Sequence, residues 1–208
     1  MITLYFRPGT CALASYLALE EAGAAHEVVD MSAQLSLLQQ INPRGKVPVL
    51  DIDGWLLREN VAILSCIAER FPAAGLWPDD AAERLQCLST LAWLASTVHI
   101  DYRQMRRPMA FSPEVPAQPG ISEQGRRNFL RDLGELDARL DGRDWLLGDR
   151  LSVADLYGLV FIEWAVTSQV YDPQWTHLTR WASRLIQRPA VAKVLQAVGA
   201  SLLKFGQA

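Results

Sequence analysis

Cys11, Glu59, Asn60 and His99, with the segment Asn42-Pro43-Arg44-Gly45-Lys46-Val47-Pro48-Val49-Leu50, are the parts of this 208-residue chain that could do chemistry. Cys11 stands at the expected start of a helix, where aligned peptide dipoles and unsatisfied N–H groups favour negative charge. A thiol so placed can have its pKa lowered from about 8.5 into the range of about 3.5–7.5, giving a thiolate at neutral pH. Pro48 sits inside what otherwise reads as a strand, where its missing N–H breaks a ladder bond. Val47 before it is biased to extended backbone, and a strand edge left open there suits an extended peptide. Glu59 and Asn60 mark a helix start. Asn is a favoured N-cap, a ligand carboxylate at such an end meets free N–H groups, and Glu59 could hold an ammonium. His99 falls late in a long helix, where an imidazole could stabilise a thiolate or act as acid or base near neutral pH. Each residue also has a plain reading: Cys11 as a small buried hydrophobe, Pro48 as a hairpin stiffener, Glu59-Asn60 as simple capping and His99 as a structural histidine.

The elements that must position these groups divide near residue 77. Before it, Ile2–Phe6 and His26–Val29 read as strands, and Cys11 to Gly23 and Ala33–Gln40 as helices. Val47–Ile52 and Trp55–Leu57, joined by Asp53-Gly54, read as a hairpin, and Asn60–Phe71 carries a helical stripe of Ile63, Ile67 and Phe71. The order β-α-β-α-β-β-α is the thioredoxin-like order. After Leu76-Trp77-Pro78 the strand signals stop. Ala81–Arg106 reads as one long helix with Leu85, Leu88, Leu91, Ala92 and Ala95 along its inner side. The stretch from Pro108 to Pro119 reads as a loop, and Ser122 to Leu140 as a second amphipathic helix. Leu151-Ser152-Val153-Ala154-Asp155 shows a capping box opening a central apolar helix, and Trp175–Gln187 and Ala190–Leu203 complete an all-helical part. The expectation is an α+β chain with a domain at residues 1–77 and an all-α domain at residues 81–208.

Bulk properties narrow the function. Half the residues are hydrophobic, 21% are charged and the net charge is −3, which argues against non-specific nucleic-acid binding. No apolar run approaches the ~20 residues that span a bilayer, and no leader is expected because the N-terminus runs straight into a strand. Cys11, Cys66 and Cys87 are scattered, fitting neither a disulfide framework nor a zinc site. Cys66 and Cys87 read as packing residues. A cytoplasmic protein with no metal, nucleic-acid or membrane partner is expected.

The Asn42–Leu50 segment, Arg58-Glu59-Asn60-Val61-Ala62-Ile63, Leu151–Leu156 and the opening Tyr5-Phe6-Arg7-Pro8-Gly9-Thr10-Cys11 stand together in one order that resembles the glutathione transferases, most like the bacterial beta class. The resemblance covers essentially the whole chain. It implies a thioredoxin-like glutathione-binding domain followed by a helical domain that supplies the co-substrate pocket, a homodimer, and conjugation of glutathione to a small hydrophobic electrophile, often in detoxification. It further implies that the Val47–Pro48 bond is cis and that Val47 pairs with the cysteinyl backbone of glutathione. Glu59 and Asn60 would clamp the γ-glutamyl group, Cys11 and His99 would face the glutathione sulfur, and Ser96 would reach glutathione, sometimes from the partner subunit. Met105 and Trp164, with Tyr157, Met109 and Phe111, would lie near the co-substrate, although core packing is the plainer reading for most of them. Arg103, Arg106 and Arg107 form a local basic cluster that could attract an acidic substrate, although solvated helix surface is the plainer reading. Close relatives usually carry serine at Ala12 and often lysine at Ile100. Ala92 replaces a polar residue, and no lysine lies between Met31 and Asn42. Two alternatives remain open: thiol–disulfide exchange through Cys11, and a non-catalytic scaffold of the same fold.

Overall fold

The structure, a computed structural model, describes residues 1–205, so the last three residues of the expected 81–208 domain lie outside it. The almost wholly buried run β1 (Ile2–Phe6) is an interior strand of a four-stranded sheet in the order β2-β1-β3-β4. β2 (Glu27–Asp30) runs parallel to β1, while β3 (Val49–Ile52) and β4 (Trp55–Arg58) are antiparallel to their neighbours. Asp53 and Gly54 both take positive φ, the geometry of a tight two-residue hairpin turn. Helix α1 (Ala12–Glu21) is apolar nearly all round because it is wedged between α3 (Asn60–Arg70) and the helical half, and a short α2 (Leu35–Ile41) leads into the Asn42–Pro48 turn.

The helical part begins with α4 (Ala81–Trp93), whose first turn is capped by Asp80 Oδ1 accepting from the N–H groups of Ala82 at 2.9 Å and Glu83 at 3.0 Å. α4 runs through a π-helical stretch, Leu94–Val98, into α5 (His99–Arg106). There follow α6 (Gln118–Arg139), α7 (Val153–Thr167), α8 (Thr176–Ile186) and α9 (Pro189–Val198). α7 is buried along its length from Val153 to Ala165 and forms the centre of the helical half. The two halves are tied by Arg188, which makes a bidentate pair with Glu21 at 2.9 and 2.7 Å. No helix among the described residues is long and apolar enough to cross a membrane.

Three local expectations are corrected. The inner face of α4 is Cys87, Thr90 and Leu91, continued by Leu94 and Val98, whereas Leu85 is 67% exposed and Ala92 is also exposed. The π stretch adds a residue to the turn, so α5 is rotated relative to a straight continuation. α6 starts at Gln118, earlier than Ser122, because Pro119 fits the first helical turn where no N–H is needed; the preceding segment holds two short 3₁₀ turns. The last helix stops at Gly199, whose φ of 63° is the left-handed cap, and a 3₁₀ turn (Ser201–Lys204) follows.

α5 and α6 meet at a pair of carboxylates. Asp132 is almost fully buried; its Oδ1 accepts from Arg131 at 2.9 Å, and its Oδ2 has no partner among the described residues. Asp101 faces it, with Arg131 3.7 Å and Asn128 3.2 Å away. Burial raises the Asp132 pKa, with the neighbouring Asp101 acting in the same direction against Arg131. The folded state therefore holds a proton that the unfolded chain has released, and this group's contribution to stability falls as pH climbs from about 4 towards neutrality. Asp132→Asn is expected to raise Tm at pH 7.5 by a few degrees and to flatten the Tm–pH curve over that window. A lower Tm for the variant at pH 7.5 would contradict the assignment.

Candidate active site

A cavity of about 420 Å³ opens where the β1–α1 turn, the Asn42–Pro48 segment and the start of α3 face α5 and α7. Cys11, Val47, Pro48, Glu59, Asn60 and His99, separated by up to 88 positions in the chain, all line it, as does Trp164. The Val47–Pro48 bond is cis, as the resemblance implies. Strand β3 pairs only from Val49 onward, so Val47 lies outside the ladder and its N–H has no backbone partner among the described residues. That leaves a strip of free backbone on the cavity wall.

α3 opens onto the same wall without a side-chain cap. Here the expected capping geometry is corrected: Glu59 is the N-cap and Asn60 the first helical residue. The buried Asn60 side chain instead joins two helix starts, donating to Cys11 O at 3.0 Å and accepting from Ser15 Oγ at 2.6 Å. Glu59 has φ 69° and ψ 122°, an unfavourable region for a residue with a Cβ that costs about 1–3 kcal/mol. Its carboxylate is exposed and stands 3.7 Å from Arg44. The free N–H groups of the first α3 turn thus sit beside a carboxylate, a match for a ligand carrying adjacent carboxylate and ammonium groups.

Cys11 is the N-cap of α1, but its thiol is the opposite of the expected thiolate. Burial pushes its pKa up to about 12, outweighing the helix terminus, and its Sγ lies 4.0 Å from Val47 O. In a Cys66→Ser/Cys87→Ser background, alkylation of Cys11 by iodoacetamide is expected to be slow and to keep rising with pH through about 9.5, because the thiolate fraction never saturates there. A plateau near pH 7 would show that the thiol ionises early. For His99 the acid–base role near neutral pH is corrected in the same sense. Burial, reinforced by the charges of Arg103 and Lys46, lowers its pKa to about 4, so it is a neutral imidazole at physiological pH. Its Nδ1 is 3.3 Å from Tyr157 Oη, and its ring meets Trp164 edge-on at 5.0 Å. Burial also raises the Tyr157 phenol, which stays protonated.

The co-substrate residues separate. Trp164 lines the cavity, donates from Nε1 to Gly9 O at 3.2 Å and stacks on Tyr102 at 4.4 Å. Met105 does not: it is buried on the far side of α5 against α6, where Ser122 Oγ donates to its carbonyl at 2.8 Å. Met109 and Phe111 are exposed and also lie outside the cavity wall. Ser96 is exposed, bonds back to Ala92 O at 2.8 Å and is not among the residues around the cavity. Sequence reasoning missed Tyr102, which the spacing His99, Tyr102, Arg103, Arg106 on one helix face could have supplied. Arg103, Arg106 and Arg107, for which solvated surface is the plainer sequence reading, all line the cavity. Among the described residues no cluster of three or more His, Cys, Asp or Glu could hold a metal ion.

Comparison with known proteins agrees with this arrangement. Residues 1–69 match the family model for the glutathione S-transferase N-terminal domain, and residues 109–189 that for the C-terminal domain. Glutathione S-transferase GST-4.5 of Xanthomonas campestris is 33% identical over 200 residues, covering 94% of this chain and 98% of that protein. Among solved structures, a sphingomonad glutathione S-transferase complexed with glutathione is 34% identical with a TM-score of 0.83, covering 95% of this chain and 98% of the other. The bacterial beta class glutathione S-transferase of Sphingomonas chungbukensis is 32% identical, with the same TM-score and coverage. A thioredoxin-like half with a mixed sheet, a helical half and matches to both family models over most of the chain make it a member of the glutathione transferase family.

Proposed function

We propose that the protein conjugates glutathione to a small electrophile, with its two domains meeting at the cavity and dividing between residues 77 and 81. The observation that carries this is the uncapped start of α3 beside the Glu59 carboxylate and the free backbone of Val47, a set matched to an extended γ-glutamyl tripeptide. The γ-glutamyl carboxylate lies on the N–H groups of Asn60 and Val61, its ammonium on Glu59, and the cysteinyl backbone pairs with Val47 as an added strand. The glutathione sulfur then faces Cys11 and His99. Both are neutral, so their role is to donate hydrogen bonds to an anionic sulfur: Cys11 through S–H, and His99 through Nε2–H when Tyr157 donates to Nδ1. The thiol proton leaves to solvent, and the thiolate forms the new C–S bond as the leaving group departs with its electron pair.

Disulfide exchange by Cys11 requires that sulfur itself to be the attacking thiolate. The burial that raises its pKa favours conjugation over that reading. The homodimer draws support from Leu85, Ala92 and Ser96, spaced seven and eleven residues apart and exposed as one stripe of helix surface. On such a face Ser96 contacts the partner's glutathione rather than its own. A cytoplasmic, detoxifying role accords with conjugation chemistry.

Calorimetric titration with reduced glutathione tests the site. Saturable binding is expected, weakened about 10- to 100-fold in Glu59→Ala, since a charge-assisted hydrogen bond is worth about 1.5–3 kcal/mol. No saturable binding to the wild type, or binding without turnover of any standard electrophile, would refute conjugation.

A further inference from the structure

The chain as a whole is acidic, with a net charge of −3, yet the cavity is strongly basic. Arg7, Arg44, Lys46, Arg103, Arg106 and Arg107 all line it, against the single carboxylate of Glu59. Only Arg44 is engaged by that carboxylate; the other five lie within ion-pair distance of no carboxylate among the described residues. Glutathione carries two carboxylates and one ammonium, and the ammonium is matched by Glu59. Its thiolate form brings a net charge of about −2, which leaves most of this positive charge unanswered. An excess of one sign focused in a cleft attracts and orients an oppositely charged ligand.

The placement of the excess is directional. His99, Tyr102, Arg103 and Arg106 are spaced as one face of the π-shifted helix, and all line the cavity. Arg103 stands about 6 Å and Arg106 about 10 Å along the axis from His99, at about 1.5 Å per residue. Arg107 follows at the helix end, and Arg103 is held over the Phe111 ring at 5.6 Å. Between the sulfur end and this basic end lies the Tyr102–Trp164 stack, with ring planes only 15° apart. A planar ring fits against those aromatic side chains, and the separation matches one ring bearing an acid group opposite its reacting carbon. The charges of Arg103 and Lys46 already act on His99, which shows that the field reaches the reacting end.

We infer that the preferred co-substrate is a small aromatic electrophile carrying a carboxylate or sulfonate, bound by Arg103, Arg106 and Arg107 with its reacting carbon towards His99. This rests on the conjugation reading and narrows its substrate class from neutral apolar compounds to anionic ones. With a chloronitrobenzoate the glutathione thiolate forms a bond to the chlorine-bearing carbon, chloride leaves with the bonding pair, and the carboxylate stays on the arginines.

The test compares 4-chloro-3-nitrobenzoate with the neutral 4-chloro-3-nitrobenzamide, each rate divided by its uncatalysed rate with free glutathione. The normalised kcat/KM is expected to favour the benzoate by about tenfold or more, and the preference to shrink as salt is raised, since added ions screen these charges. Arg103→Gln/Arg106→Gln/Arg107→Gln is expected to erase it, with Arg103→Gln alone reducing it in case the triple variant does not fold. A wild-type ratio at or below one, or a ratio unchanged by the substitutions, overturns the inference. Calorimetry with each compound alone separates this from failure of the conjugation reading. Benzoate binding that depends on the arginines, in a protein that neither binds glutathione nor turns over, upholds the anion site and refutes conjugation. Equal or absent binding of the two compounds, with glutathione bound normally, refutes the anion site alone.

Discussion

Asp155→Ala is expected to lower the unfolding free energy by about 3–5 kcal/mol, the range seen when a buried charge loses its partners or leaves them unpaired. The Asp155 carboxylate is fully buried and accepts four hydrogen bonds. Oδ1 takes the Leu146 N–H at 2.8 Å and the Trp181 indole N–H at 2.9 Å, while Oδ2 takes the Ser152 N–H and hydroxyl, each at 2.9 Å. One side chain thereby joins the capping box of α7 to the 146 turn and to α8. Burial raises its pKa, and the four donors oppose that rise. Removing the carboxylate strands donors in a site closed to bulk solvent, and each stranded group costs about 1–3 kcal/mol. For a chain of this length the loss corresponds to a drop in Tm of about 10 °C or more. Asp155→Asn keeps the shape but presents an NH₂ towards a donor, so it is expected to fall between wild type and alanine. Thermal melts of the three proteins settle the matter: a Tm for Asp155→Ala within two or three degrees of wild type would mean the network contributes little.

Gly125→Ala is expected to destabilise the protein by several kcal/mol and to weaken turnover at the same time. A Cβ added at Gly125 would lie 2.5 Å from the Met105 backbone nitrogen, 2.6 Å from Gln104 Cβ and 2.8 Å from the Gln104 carbonyl carbon. Backbone cannot swing aside as a flexible side chain can, so α6 must move away from α5, an overpacking that costs at least about 1–3 kcal/mol. α5 carries His99, Tyr102 and Arg103, so the displacement is felt in the cavity as well as in Tm. Gly134→Ala, on the same helix, is the control. Its nearest new neighbour is Trp175 Nε1 at 3.8 Å, an ordinary contact, and the gain in helix propensity is up to about 1 kcal/mol. The two substitutions should therefore move Tm in opposite directions. A Gly125→Ala protein with wild-type Tm would show that the helices are free to separate.

The elements legible from sequence are those with strong local signals. Asp53-Gly54 marked a hairpin because both positions need positive φ, and Ser152 with Asp155 marked the start of α7 because each side chain answers a backbone group within one turn. The identity of the cavity wall was legible for a related reason: Pro48 and the Glu59-Asn60 helix start are statements about backbone, which neighbouring residues largely dictate. The errors fall where phase accumulates. Reading Ala81–Arg106 as one apolar stripe put Leu85 and Ala92 on the inner side, which Cys87, Thr90 and Leu91 occupy instead, and nothing in a periodic pattern announces the π stretch at Leu94–Val98. Only the packing of α5 shows that Tyr102 faces the cavity and Met105 faces α6.

The sequence by itself determined the family, the order of elements and the backbone features of a tripeptide platform, since these depend on residues a few positions apart. Only the tertiary structure decided the charge state of the groups around it. Cys11 is a thiol rather than a thiolate and His99 a neutral imidazole, because packing from both halves of the chain raises the cost of charge on them. A helix terminus acts over one turn and is readable locally. Desolvation sums over everything that packs against a group, and for Cys11 and His99 that includes α7, whose residues lie more than fifty positions further along the chain.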